Sequence, residues 1–230
     1  MRNRKLFWLL SIPIVCSFAL GTAAHAQPSP GDPPVYKLPS RGAPASRIGG
    51  GTRGLPMQDS PTVTVFAPDH TGLTANPQPT LYWFLSKDAP VRIEMTLLDD
   101  AGVKPLIEKV VKTPMARGIH GLSLKDAGVT LAPDQEYRWH VALVFDPKMR
   151  SSDVTSSGTI KRVAASDTLK AQLATGTPAS PAVYAAEGLW YDSIDVLVQR
   201  INAAPDDKAP RDQLDALLNQ VGLKQVAHQR

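Results

Sequence analysis

Cysteine is nearly absent from this chain: Cys16 is the only one in 230 residues. A thiol nucleophile and a disulfide framework are therefore excluded from everything that follows it. Histidine is sparse too. His70, His120, His140 and His228 form no H-x-x-x-H or H-E-x-x-H pair, which removes the usual helical zinc patterns. No G-x-S-x-G elbow occurs, so serines are plentiful without the turn that arms one of them. Acidic residues cluster only as Asp99-Asp100 and Asp206-Asp207, in stretches whose residue types make turns. Glu94, Glu108, Glu136 and Glu187 read as solvated, and His140 as a histidine of the outer sheet face. No catalytic residue, cofactor site or metal site is expected on this reading.

Long apolar runs are equally scarce. One spans residues 6–20, behind Arg2, Arg4 and Lys5 and ahead of Ala24-His25-Ala26. A basic head, a short apolar middle and an A-x-A exit describe a cleaved secretory signal over residues 1–26. The run is broken by Pro13 and falls short of the roughly 20 residues that a permanent span needs. Cys16 follows Pro13-Ile14-Val15, not the small residues of a lipid-attachment box. Cleavage removes the cysteine and three basic residues, so that net charge falls from +4 to +1 over 204 residues. The expected compartment is periplasmic or secreted, with no stable membrane span after cleavage. With so little net charge left, nucleic acid is not an expected partner.

Residues 27–61 are dense in proline and glycine and carry no sustained apolar period, which predicts a flexible leader. Up to residue 58, Asp32, Lys37, Arg41, Arg47 and Arg53 give it a charge of +3. Those arginines read either as solubilising charges or as a binding arm. Arg47 and Arg53, flanking Gly49-Gly50-Gly51, are the candidate contacts for a partner. The glycine run resembles a phosphate cradle but lacks the Lys-Ser/Thr that a P-loop places after its last glycine.

From residue 62 the hydrophobic period becomes two, in short segments bounded by Gly, Pro, Asp and Asn. Strands are predicted at 62–66, 80–85, 91–97, 105–111, 119–124, 136–145 and 153–163. In the second, Leu81, Trp83 and Leu85 share one face while Tyr82 and Phe84 share the other, so both faces need cover. In the sixth, Tyr137, Trp139, Val141, Leu143 and Phe145 line one face. About seven such strands predict an antiparallel sandwich of immunoglobulin or fibronectin III type over 62–163.

Beyond residue 164 the period turns helical. Ser166-Asp167 caps a short helix to residue 174, and Ser180-Pro181 opens another, with serine as cap and proline at the first position. An apolar stripe of Val183, Ala186, Leu189, Trp190, Ile194, Leu197, Val198 and Ile201 follows, with Gly188 placed to kink or divide it. A last helix near 210–221 ends at Gly222-Leu223. The fold class is thus mainly β with an α appendage, 164–230 forming a helical hairpin. Trp190 and Tyr191 are candidate partner-binding residues, because Trp and Tyr dominate interface hot spots. On an amphipathic helix a Trp also serves as core.

The segments RIGGGTRG, GLT with PTLYWF, GVTLAPDQEYRWHVALVF and AAEGLWYDSIDVL, in that order, resemble the exported bacterial proteins of the domain of unknown function 928 family. The resemblance runs from about residue 47 to 223. It implies an exported protein and this architecture, and it brings no activity, cofactor or catalytic residue with it. The helical end is also similar to a degenerate tetratricopeptide pair, a type of repeat that holds partners.

The expected function is a non-catalytic binding or assembly module of the bacterial envelope, with a protein partner. Two alternatives come from other classes. One is a hydrolase of envelope carbohydrate with unrecognised carboxylates, whose mark would be a cleft lined by two close acids. The other is a secretion accessory or chaperone, whose mark would be an open apolar sheet edge.

Overall fold

The computed structural model describes residues 33–39, 60–99, 102, 105–111, 113–175, 179–224 and 226. The expected signal, Arg47, Arg53 and the glycine run lie outside these residues.

Eight strands come first: β1 (Val63–Val65), β2 (Gly72–Thr74), β3 (Thr80–Leu85), β4 (Arg92–Asp99), β5 (Pro105–Val111), β6 (Gly118–Ser123), β7 (Glu136–Val144) and β8 (Val154–Arg162). Four helices follow: α1 (Asp167–Ala174), α2 (Pro181–Ala186), α3 (Trp190–Ala203) and α4 (Ala209–Gln220). Among the described residues the protein is therefore mainly β, in two sheets, with its α-helices after the last strand and one 3-10 turn, Arg150–Ser152, between β7 and β8.

The smaller sheet has the order β1-β3-β6 and the larger β2-β8-β7-β4-β5. All pairings are antiparallel except β2 with β8, where Gly72 lies beside Ile160 in a parallel pair. Alternation does the work expected of it in β4 and β7. Ile93, Met95 and Leu97 are fully buried and face Leu143, Val141 and Trp139 across the ladder. Phe145 departs from the expectation: it lies just past β7 and is exposed, because the strand has ended before its side chain can be turned inward.

β3 is buried on both faces, as its sequence requires. Trp83 and Leu85 face the sheet core, and α3 covers the other side, where the Tyr82 hydroxyl donates to Asp195 Oδ1 at 2.7 Å. One continuous cluster of buried side chains runs from Trp139 and Ile160 of the larger sheet through Trp83 to Leu197, Leu214 and Leu218 of the helices.

Each helix boundary has a local cause. Ser166 Oγ accepts from Leu169 N at the start of α1, and Ser180 Oγ accepts from Val183 N at the start of α2, with Pro181 at the first turn. Gly188, at φ +75°, separates α2 from α3. Gly222, also at φ +75°, ends α4, and Leu223 N turns back to Leu218 O at 3.0 Å. Tyr191 is the joint between helices and sheet. Its hydroxyl accepts from Trp139 Nε1 at 3.0 Å and donates to Thr159 O at 2.9 Å, beneath Gly72. A Cβ on Gly72 would stand 2.6 Å from the Tyr191 ring, so the ring fits only against a glycine.

Candidate functional site

Two places on this frame gather the residue types that recognition needs. The first is a groove floored by α2, α3 and α4 and walled by the turn before β2. It holds residues 33–39 of the expected leader in extended form. Pro34 and Tyr36 point in and are buried, whereas Val35, Lys37 and Leu38 point out. The Gln220 side chain, at the last residue of α4, reads the backbone on both sides of Val35. Its Oε1 accepts from Tyr36 N at 2.9 Å and its Nε2 donates to Pro34 O at 2.8 Å. A further Nε2 contact to Ala216 O, at 3.0 Å, fixes the amide's orientation. Lys37 N donates to Ala185 O at 2.9 Å, a carbonyl at the end of α2 that also accepts from Gly188 N at 3.0 Å.

The tyrosine slot is aromatic on two sides. Tyr36 meets Trp190 edge-on at 4.9 Å between ring centroids and stacks at 5.7 Å on His70. His70 Nδ1 lies 3.0 Å from Asp69 Oδ1, which places the ring proton there and leaves Nε2 to accept the Tyr36 hydroxyl at 2.9 Å. Burial, and then the charge of Asp69, push the Tyr36 hydroxyl well above the ordinary tyrosine range, so it stays a donor. Gly188 completes the fit: a Cβ there would stand 3.0 Å from Lys37 O.

The second place is a cleft of about 320 Å³ between the loop after β2, α1 and α3. Asp192 and Asp195 share its wall with Tyr184, Val196 and Leu173. The two acids stand one turn apart on α3, where Cβ atoms are about 5–6 Å from each other. Asp192 Oδ2 accepts from Ala75 N at 3.0 Å, which ties the loop to the helix. Burial lifts its carboxyl to about 6, against the opposing pull of hydrogen bonds from Thr74 and the backbone of Ala75 and Asn76. Asp195 is held by the Tyr82 hydroxyl and by Gln199 Nε2 at 2.8 Å. Tyr184 is raised by burial and then by these two carboxylates.

Of the sequence-based site residues, Arg47 and Arg53 lie outside the described residues, and Trp190 and Tyr191 are both inside the protein. Trp190 and Tyr191, expected at a partner interface, are 0% and 1% exposed. Trp190 donates Nε1 to Phe66 O at 2.9 Å and floors the groove, so it touches the leader segment and not solvent. Tyr191 is a core residue, because both lone-pair and proton of its hydroxyl are used inside the sheet. Two of the glutamates read as solvated are engaged. Glu94 accepts from Arg92 and Arg150 at 2.6 and 2.7 Å, and those partners hold its carboxyl below the usual range. Glu136 accepts from the Thr71 hydroxyl at 2.7 Å. His140 stands on the outer sheet face as expected, half-buried, and its burial depresses its basicity.

Sequence reasoning missed the groove altogether. Its signal was the alternation Pro34-Val35-Tyr36-Lys37 inside a segment read as uniformly unstructured. Among the described residues, no cluster of three potential metal ligands occurs, and no helix is long and apolar enough to cross a membrane.

A mainly β protein with two sheets, four α-helices after them among the described residues, and a groove filled by its own 33–39 segment is the class these observations define. The chain belongs to the family described as Domain of Unknown Function (DUF928), whose family model matches residues 48–230. Neither the curated proteins nor the solved structures contain a match.

Proposed function

We propose that the mature chain is an exported, non-catalytic binding or assembly module of the bacterial envelope, working in the periplasm or outside the cell. The observation that carries this reading is the groove: backbone donors and acceptors of an extended segment are matched by Gln220 and Ala185, and one aromatic side chain is seated. That is how a surface holds polypeptide, by main-chain pairing for affinity and a side-chain slot for choice. The basic head and A-x-A exit support export. The strand orders β1-β3-β6 and β2-β8-β7-β4-β5 support an immunoglobulin-like sandwich over 62–163, with 164–230 as its helical companion.

The test is crosslinking in intact cells from a photoreactive residue placed at Val35, which faces outward from the groove. A stoichiometric envelope protein is expected. Absence of any partner, with release of sugar from envelope glycan, would overturn it.

That outcome belongs to a second reading, favoured by the cleft. Asp192, raised to about 6, and Asp195 one turn away line the same cleft, the pairing of an acid with a companion carboxylate that glycoside hydrolases use. Asp192 is also the residue that fastens the loop after β2, which gives it a structural reason to be there. The strand-addition reading has less support. β5 is an open edge carrying exposed Leu106 and Val110, but Pro105, Glu108 and Lys109 interrupt it with the features that guard sheet edges.

A further inference from the structure

The geometry points to the groove as a recognition site for extended peptides carrying a proline two residues before a tyrosine, with the chain's own 33–39 segment as a resident competitor. This rests on the binding-module reading and names the chemistry of its ligand.

Three features define what the groove selects. The backbone is read at three successive places, Pro34 O, Tyr36 N and Lys37 N, which requires an extended chain in one register. Pro34 and Tyr36 are the buried positions, so these two side chains are chosen. Val35 is 71% exposed and Leu38 64%, so the groove is indifferent to what stands there. The tyrosine is preferred over phenylalanine because His70 Nε2 accepts its hydroxyl at the far end of the slot. Burying that nitrogen without a donor would leave a polar atom unmatched.

The occupant and its seat have different standing in the chain. His70, Ala185, Gly188, Trp190 and Gln220 lie inside the family match at 48–230, and residues 33–39 lie before it. Twenty residues of sequence, 40–59, separate the segment from Ser60, three residues before β1. Segment and seat belong to one chain, and a ligand joined covalently to its site is present at an effective concentration on the order of millimolar. A free peptide of equal intrinsic affinity is therefore shut out while the resident is docked, and gains access when the resident is weakened.

The experiment titrates a fluorescein-labelled peptide with the sequence of 31–41 into the mature chain and into the same chain carrying Tyr36→Ala, following anisotropy. Lys37→Pro serves as a second loosening variant, since it removes the N–H given to Ala185 without touching the slot. Both variants, folded by circular dichroism, are expected to bind the peptide at least tenfold more tightly than the unaltered chain. A peptide with alanine in place of the tyrosine is expected not to bind, and adding Gln220→Ala to either variant is expected to abolish binding. Equal anisotropy for all chains, or undiminished binding of the tyrosine-free peptide, overturns the inference. Peptide binding that survives while no envelope partner is found in cells would sink the assembly reading and leave this one standing.

Discussion

Tyr191 uses its hydroxyl twice, as acceptor from Trp139 and donor to Thr159, and both partners are buried with it. Tyr191→Phe keeps the ring in place but strands an indole N–H and a carbonyl. A loss of about 1–3 kcal/mol is expected, read from urea unfolding midpoints. Asp192 makes a pH signature. Its carboxyl is raised to about 6 in the folded chain and has the ordinary value of about 3.9 when unfolded. Between these values the folded state keeps a proton that the unfolded state has released. The stability from this group is therefore full below about pH 4 and is lost as pH rises through about 6, by at most about 3 kcal/mol. Asp192→Asn is expected to flatten the stability curve across that window, measured as thermal midpoints at stepped pH. Neither role was legible in the sequence, where Tyr191 stands beside Trp190 as one aromatic pair. The burial of Tyr191 depends on Gly72, more than a hundred residues away, and no local pattern announces that.

The helices were the most legible elements, since their caps are local chemistry. Ser166, Ser180, Pro181, Gly188 and Gly222 all stand where the backbone demands them. Ser180→Ala removes the side-chain acceptor for Val183 N at the start of a six-residue helix, and a cost of about 1 kcal/mol is expected by chemical denaturation. β4 and β7 were legible from alternation to within a residue or two at their ends, and the less regular β5 and the partner strand β8 were placed as closely. β2 was not, because three residues, Gly72-Leu73-Thr74, are too few to show a period. Its place in the sheet comes from parallel pairing with β8, which only the three-dimensional chain supplies. The docked segment at 33–39 escaped for a related reason. Its two buried residues are surrounded by proline and glycine, so composition outweighed a two-residue alternation.

At the scale of the whole molecule, the 33–39 segment adds a further tie to the hydrogen bonds and packing that join helices and sheets. It touches α2, α3, α4 and the turn before β2 together. Tyr36→Ala empties the slot between Trp190 and His70. Burial of an aromatic ring contributes about 2–3 kcal/mol, and part of that returns as freedom of the released segment. A lowering of unfolding free energy by about 1–2 kcal/mol is expected, with the cooperativity of the transition unchanged.

The contact between Tyr36 and Gln220 spans 184 residues of sequence. A ribosome makes the tyrosine 184 residues before the glutamine, so the segment waits through that stretch of synthesis before its seat exists. Docking therefore reports on α4: a chain cut short before that helix would lack Gln220, and its 33–39 segment would lose the amide that reads its backbone.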